Sequence, residues 1–207
     1  MIVYGTGYSP YVRKVLVSLA EKGLAYEHRP LMFHDPDPAF QAASPLGKIP
    51  AIDDNGFLLA DSTAILFYLD RRAPTPTLVP TEPQALGRAL WFDKFGDTEL
   101  FGKLVVPFVE RVLKPNMMGK PTDEAAVAKA LDRDLPPLFD HLESEIDGPF
   151  LVDDAFSIAD ISIATGFYNF GLAKAEIDAG RWPRLAAYVK AILARPSFET
   201  AMAARKS

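Results

Sequence analysis

Three short stretches in the first third of the chain place hydroxyls, carboxylates or free backbone groups where they could meet a ligand. Ser9-Pro10 stands between an apolar run and a helical pattern. Proline suits the first helical position, because its missing N–H would go unpaired there. Ser9 then becomes the N-cap, its hydroxyl beside unpaired amides and the positive end of the helix dipole. It can cap the helix, or it can hold an anionic atom there. No His/Asp relay accompanies it, so it does not read as a hydrolytic nucleophile. Gly47-Lys48-Ile49-Pro50 precedes a strand. The residues alone leave the Ile49–Pro50 isomer open, but exposed Ile49 backbone groups could pair with an extended peptide. Asp61-Ser62 opens another helical pattern. The Ser62 hydroxyl and amide suit a carboxylate, and Asp61 suits an ammonium, although either residue can simply cap the helix.

The elements that must position these residues are read from periodicity. Met1 to Tyr4 reads as a strand, Gly5 to Ser9 as a turn, and Pro10 to Gly23 as a helix with Val12, Val15, Leu16 and Leu19 at helical spacing. Tyr26 to Met32 reads as a second strand, and Phe33 to Ser44 as loop with a short helix at most. Ile49 to Asp53 and Gly56 to Ala60 flank an Asp-Asn-Gly turn and form a hairpin. Asp61 to Arg72 is helical. The order βαβ then ββα makes the first pair parallel, with a right-handed crossover, and the second antiparallel.

Pro74, Pro76, Pro80 and Pro83 mark a linker. Beyond it no strand pattern occurs. Helices are predicted over Gln84 to Lys114, interrupted at Pro107, and over Asp123 to Ile146, kinked or split at Pro136-Pro137. Two more are predicted over Ser157 to Leu172 and Trp182 to Arg195. Ser157-Ile-Ala-Asp160 has the form of a capping box, with Phe156 and Ile161 as its hydrophobic staple.

Composition narrows the function classes. The 207 residues are 49% hydrophobic and 24% charged, which fits a folded soluble protein. With 22 basic against 27 acidic residues, a net charge of −5 and no basic run, nucleic acid is not the expected partner. No apolar run approaches the ~18 residues of a membrane span, and no secretory leader pattern is visible. Cysteine is absent, which excludes disulfides, thiolate metal sites and cysteine nucleophiles. His28, His34 and His141 show no metal-ligand spacing and read as surface or packing residues.

Taken together, the segments resemble the cytosolic glutathione transferases over nearly the whole chain. The resemblance is carried by Tyr8-Ser-Pro-Tyr-Val-Arg-Lys-Val15, Ser44-Pro-Leu-Gly-Lys-Ile-Pro-Ala-Ile52, Leu59-Ala-Asp-Ser-Thr-Ala-Ile65, Phe156-Ser-Ile-Ala-Asp160, Trp182-Pro-Arg-Leu185 and Arg195-Pro-Ser-Phe198. Ser-Pro-Tyr at the helix start is most similar to the serine-type, bacterial-like branch. The resemblance implies an α/β thioredoxin-like glutathione-binding domain over 1–75, a linker over 76–84, and an all-α helical domain over 85–207 that forms the electrophile pocket. It further implies a cytoplasmic homodimer with a role in detoxification, using glutathione as co-substrate without a metal.

The resemblance also assigns roles. Ser9 would donate a hydrogen bond to the glutathione sulfur, and Ile49, before a cis Pro50, would pair its backbone with the cysteinyl unit. Asp61 and Ser62 would hold the γ-glutamyl ammonium and carboxylate, with Lys48 and His34 near the glycyl carboxylate. A hydrophobic electrophile would bind between the domains against Tyr11, Phe33, Trp91, Phe95 and Phe108. Tyr4 and Tyr8 are alternative sulfur donors, since tyrosine serves in other branches. The absence of cysteine sets aside the thiol-transfer and dehydroascorbate branch, and Tyr8-Ser-Pro does not resemble the Ser-Cys-Ser of the isomerase branch. The rival expectation is a non-catalytic relative that binds glutathione, hydrophobic ligands or a protein.

Overall fold

A computed structural model describes residues 1–203. By packing, the chain divides into two compact units, Met1–Thr81 with Ala194–Ser207, and Glu82–Leu193.

The first unit is built on a four-stranded mixed sheet, in the order β2-β1-β3-β4. Strand β1 (Ile2–Tyr4) leads through α1 (Pro10–Glu21) to the parallel strand β2 (Glu27–Arg29). A short helix α2 (Pro38–Ala43) forms within the segment expected to be mostly loop, with Asp37 capping it through the Phe40 N–H at 2.8 Å. Strands β3 (Ala51–Asp54) and β4 (Phe57–Ala60) form the expected antiparallel hairpin, and α3 (Ser62–Arg72) comes next. This is the expected α/β thioredoxin-like arrangement with a mixed sheet. Tyr4 pairs with Ala51 and Ala51 with Ala60, so these three residues form one row across the sheet.

Helix α1 is the core element of this unit, with Val12, Val15, Leu16, Val17 and Leu19 fully buried. Its C-terminal side carries a buried cation. Lys22 Nζ donates to Asp70 Oδ1 at 2.9 Å and to the carbonyls of Ala73 and Pro76, both at 2.7 Å. Asp70 Oδ1 also accepts the Leu78 N–H at 2.8 Å. The proline-rich segment after α3 is therefore fastened to the first unit. Near its end the chain returns to α1. Helix α11 (Pro196–Ala203) is preceded by Arg195, whose guanidinium donates to both Glu21 oxygens, at 2.9 and 3.1 Å; the Ser197 hydroxyl donates to Glu21 at 2.6 Å. Packing thus groups α11 with the first unit, whereas the family resemblance groups 85–207 together.

The second unit is helical among the described residues. Helices α4 (Pro83–Phe95), α5 (Phe101–Phe108) and α6 (Lys114–Met117) succeed one another through wide turns at Gly96–Leu100 and Val109–Leu113. In these the amides of Phe101 and Lys114 reach back five residues, to Gly96 and Val109. Pro107, expected to interrupt the helix, lies inside α5. A proline removes one i→i−4 bond, and a wide turn begins two residues later. The same device precedes Pro136. Helix α7 (Glu124–Lys129) runs into a wide turn, Ala130–Asp134, closed by the Leu135 N–H on Ala130 O at 2.9 Å. Helix α8 (Pro136–Glu145) then starts at the prolines, where no N–H is needed.

Helix α9 (Ile158–Leu172) is the core of this unit, with Ile158 to Phe167 buried throughout. The capping box at its start is formed. The Ser157 N–H reaches Asp160 Oδ2 at 2.9 Å and the Ala159 N–H reaches Ser157 Oγ at 3.2 Å. Asp160 also accepts the Leu151 N–H at 2.9 Å and the Tyr188 hydroxyl at 2.7 Å. Burial pushes its carboxyl above the usual carboxylate range, against these hydrogen bonds. Tyr188 lies on α10 (Pro183–Leu193). No helix among the described residues is long and apolar enough to cross a membrane.

Replacing Lys22 by methionine would leave Asp70 buried without its cation. Lys22→Met should lower unfolding stability by about 3–5 kcal/mol, read as a shift in the urea midpoint with the slope unchanged. Glu143 caps α10 by accepting the Leu185 and Arg184 N–H groups at 2.8 and 3.1 Å. Burial acts to raise its pKa, but these donors and the Arg184 guanidinium hold it below the ordinary value. A depressed carboxylate contributes above its unfolded pKa of about 4.3 and loses that contribution as pH falls through the folded value. Glu143→Gln should therefore be less stable than the parent at pH 7, with the difference shrinking in acid unfolding curves.

Candidate functional site

The row beyond Tyr4, Ala51 and Ala60 carries Gly5, Pro50 and Asp61, one on each of three loops. Register alone therefore brings the β1–α1 turn, the Lys48–Pro50 loop and the β4–α3 junction to one edge of the sheet.

The β1–α1 turn is braced along its length from Gly5 to Ser9. The Gly5 N–H donates to Arg29 O at 2.9 Å and the Ser9 N–H to Thr6 O at 3.0 Å. The Tyr8 N–H meets Thr6 Oγ1 at 3.4 Å. Arg13, wholly buried, reaches back from α1 and donates Nη2 to Gly7 O at 3.0 Å. Gly5 adopts φ +131°, and a Cβ there would lie 2.5 Å from Val12 Cγ2 and 2.9 Å from Ile49 Cβ. The Val12 and Ile49 side chains thus close on the Gly5 backbone, which leaves room only for glycine.

Ser9 caps α1 as expected, but over a long bond, with Oγ accepting the Val12 N–H at 3.4 Å. The residue is half-buried, and no group among the described residues accepts its hydroxyl proton. Tyr8 beside it is also half-buried. Tyr4 is different. It is 1% exposed in a core cluster with Phe40, Ala43 and Ala51. Burial raises its pKa, against the lowering influence of nearby Arg29.

The Ile49–Pro50 bond is cis, and so is Thr75–Pro76, which the sequence pattern does not single out. The Ile49 N–H and carbonyl carry no hydrogen bond among the described residues. The loop before them is held by Ser44, whose Oγ donates to Lys48 O at 2.6 Å and accepts the Lys48 N–H at 2.9 Å. Lys48 itself is exposed. His34 is exposed with φ +60°; its N–H donates to Gly47 O at 2.7 Å, and its ring fills the space a Gly47 side chain would take. His34 and Lys48 are thus brought together through Gly47.

Asp61 holds φ +81° and ψ +124°, a sparsely populated conformation for a residue with a side chain. Its Oδ1 accepts the Ala64 N–H at 3.0 Å and so caps α3. Ser62, 4% exposed, is the first residue of α3, and its N–H and hydroxyl take no partner among the described residues. The edge thus offers two helix N-termini, an open peptide edge, a carboxylate and an ammonium. That set suits an extended, peptide-like anion with an ammonium at one end.

The five aromatic wall residues are placed differently from one another. Tyr11 is half-buried in the first turn of α1, and Phe33 is 60% exposed. Trp91 and Phe95 stack at 5.2 Å, and both rings meet His141 edge-on at 5.2 and 5.4 Å. Phe108 is enclosed, 2% exposed. No group of three or more His, Cys, Asp or Glu among the described residues could hold a metal ion. Gly5 and Arg13 belong to the site's support but do not stand out in the sequence pattern. A glycine one residue past a strand and an arginine one turn into the next helix are the only signals there.

Comparison with known proteins matches residues 3–77 to the family profile "Glutathione S-transferase, N-terminal domain" and residues 110–205 to "Glutathione S-transferase, C-terminal domain". A glutathione S-transferase of Hyoscyamus muticus is 30% identical over 212 residues, covering 98% of this chain and 97% of the relative. Among solved structures, a glutathione S-transferase from Rhodospirillum rubrum F11 superposes with a TM-score of 0.86 at 25% identity, covering 97% of this chain and 90% of that one. A maleylacetoacetate isomerase from Methylobacterium extorquens AM1, solved with bound malonate and GSH, gives 0.78 at 27% identity over 100% and 97% of the two chains.

Gly5→Ala should destabilise the first unit by roughly 2–5 kcal/mol, from overpacking against Val12 and Ile49 and from the disfavoured φ. Urea unfolding measures this directly.

Proposed function

We propose that this chain, which belongs to the glutathione S-transferase family and is a glutathione transferase, is a serine-type member that holds the thiol of glutathione as thiolate at the N-terminus of α1 for attack on a hydrophobic electrophile. The observation that carries this reading is the half-buried Ser9 hydroxyl, with no acceptor among the described residues, on the edge that also carries Ile49 and Asp61-Ser62.

In this reading glutathione lies extended along the edge. Its cysteinyl unit pairs with the Ile49 N–H and carbonyl. Its γ-glutamyl carboxylate meets the Ser62 N–H and hydroxyl at the N-terminus of α3, and its ammonium meets Asp61. Its glycyl carboxylate lies by Lys48 and His34. Tyr11 and Phe33 flank the reacting sulfur on the electrophile side. Residues 1–75 form the glutathione-binding domain and 85–207 the helical domain, in a cytoplasmic homodimer that serves detoxification.

The chemistry is governed by charge. A free thiol with pKa near ~8.5 is only a few per cent ionised at neutral pH. A hydroxyl donor and a helix N-terminus both favour the anion. The thiolate forms when the sulfur proton leaves to solvent. It then forms the new C–S bond with the electrophile, whose leaving group departs or whose double bond takes the electron pair. The protein holds the two reactants together. Ser9 is preferred to Tyr4 in this reading because Tyr4 is enclosed in a core cluster, whereas Ser9 is half-buried.

Ultraviolet difference titration of protein-bound glutathione should show a thiol pKa about two units below the free value, or ~2.7 kcal/mol of differential stabilisation. Ser9→Ala should reverse most of that shift and cut kcat about 100-fold, while KM for glutathione changes little. Unchanged turnover would remove Ser9 from the mechanism. Binding without a pKa shift would identify a carrier instead.

A further inference from the structure

His28 lies on β2 opposite Val3, one residue before the Arg29 whose carbonyl holds the Gly5 N–H. Its ring crosses to the same residue, with Nε2 2.7 Å from Gly5 O. Strand β2 therefore grips both polar groups of Gly5, one through its backbone and the other through a side chain. A carbonyl oxygen only accepts, so Nε2 must carry the proton. In the neutral ring Nδ1 is then a bare acceptor, and it is buried without a hydrogen-bond partner. A buried polar atom left unpaired calls for an explanation. A hydrocarbon at this position would avoid that unpaired atom but would supply no donor to Gly5 O.

We propose that His28 is a positioning residue for the reaction: its Nε2–H fixes the Gly5–Thr6 peptide plane, and through it the Ser9 hydroxyl relative to the Ile49 backbone. The inference rests on the function proposed above. Gly5 is the point where the β1 end, α1 and the cis-proline loop meet, with the Val12 and Ile49 side chains occupying the space that a Cβ would need. Rotation of the Gly5–Thr6 peptide would swing Thr6, whose carbonyl receives the Ser9 N–H, and so move the start of α1. Arg13 secures the next carbonyl but one, at Gly7, from the helix side. His28 secures the strand side. With both held, the carbonyls of Gly5 and Gly7 are engaged by donors and the start of α1 is fixed against the end of β1.

Three measurements test this. Nitrogen-15 NMR of the histidine rings in the wild-type protein should show His28 protonated at Nε2 with a bare Nδ1; the opposite tautomer overturns the proposal. Hydrogen exchange of the 5–12 segment should quicken in His28→Leu and return toward wild type in His28→Gln, whose amide presents a donor at similar reach. The bound-glutathione thiol pKa should rise in His28→Leu, with kcat/KM falling about 10-fold and a recovery in His28→Gln. Equal exchange and equal thiol pKa in all three proteins would overturn it, even if His28→Leu were less stable. Should the wild-type protein bind no glutathione, the functional reading fails by itself; the tautomer and the exchange pattern still decide whether His28 holds the turn.

Discussion

The first unit depends on one close approach. At Gly5 the end of β1, the first turns of α1 and the loop before cis Pro50 are packed so tightly that a methyl group would overlap both Val12 and Ile49. A side chain here would force α1 and the proline loop apart, and both carry proposed ligand contacts. The sheet register does the rest. Because Tyr4, Ala51 and Ala60 share a row, the residues just beyond them in the chain must emerge at the same edge. Three segments distant in sequence are thereby focused on one place without a dedicated scaffold. The residues that hold the turn do so largely by hydrogen bonds to its carbonyls, which leaves the Ser9 hydroxyl proton without an acceptor among the described residues.

Buried charge secures the frame at a distance from that edge. Lys22 is enclosed with an aspartate and two carbonyls as acceptors, so its desolvation is offset by three short hydrogen bonds. Such a group adds little net stability over a well-packed hydrocarbon, but it specifies a single path for the proline-rich segment, since any other path leaves an ammonium buried and unpaired. Glu21 does the same for α11, offering both oxygens to Arg195 and one also to Ser197. In the second unit Asp160 plays this part, joining the start of α9 to Leu151 and to Tyr188 on α10.

The elements of the first unit are legible in the sequence because their signals are local. The strand–turn–helix pattern around Ser9-Pro10 and the Asp-Asn-Gly hairpin each depend on residues within a few positions of one another, as does the capping box at Ser157 in the second unit, and each appears in the structure. Helix α11 escapes such reading, because its eight residues offer few turns of periodicity and its docking on α1 is set by Glu21, far away in sequence. The two proline sites behave differently. At Pro136 the helix splits as expected and a new one begins, whereas Pro107 sits inside α5 and the chain runs on through a wide turn. At the edge of the sheet, Ser9, Ile49, Asp61 and Ser62 can be named as candidates, but the role of Gly5 cannot, since it arises from side chains 7 and 44 residues away. His28 reads as a packing residue because nothing in its neighbourhood of sequence points to Gly5.

The energetics of the proposed thiolate explain why so sparse a site can suffice. A charge at a helix N-terminus gains about 0.3–1 kcal/mol when exposed and up to ~2 kcal/mol when partly buried. A hydrogen bond to a charged acceptor adds roughly 1.5–3 kcal/mol. Together these span the ~2.7 kcal/mol that lowers a thiol pKa by two units, with no cationic side chain required at the sulfur. The hydroxyl contributes only if it donates to the sulfur instead of to the protein, and a weakly engaged cap meets that condition. At 3.4 Å the Val12 amide makes a long bond to Ser9 Oγ, and the Ser9 proton has no competing acceptor among the described residues. A tighter, fully satisfied cap would stabilise α1 more and the anion less. The looseness of this one bond, within a turn otherwise held at nearly every carbonyl, is the feature through which helix capping and the proposed sulfur activation would draw on the same residue.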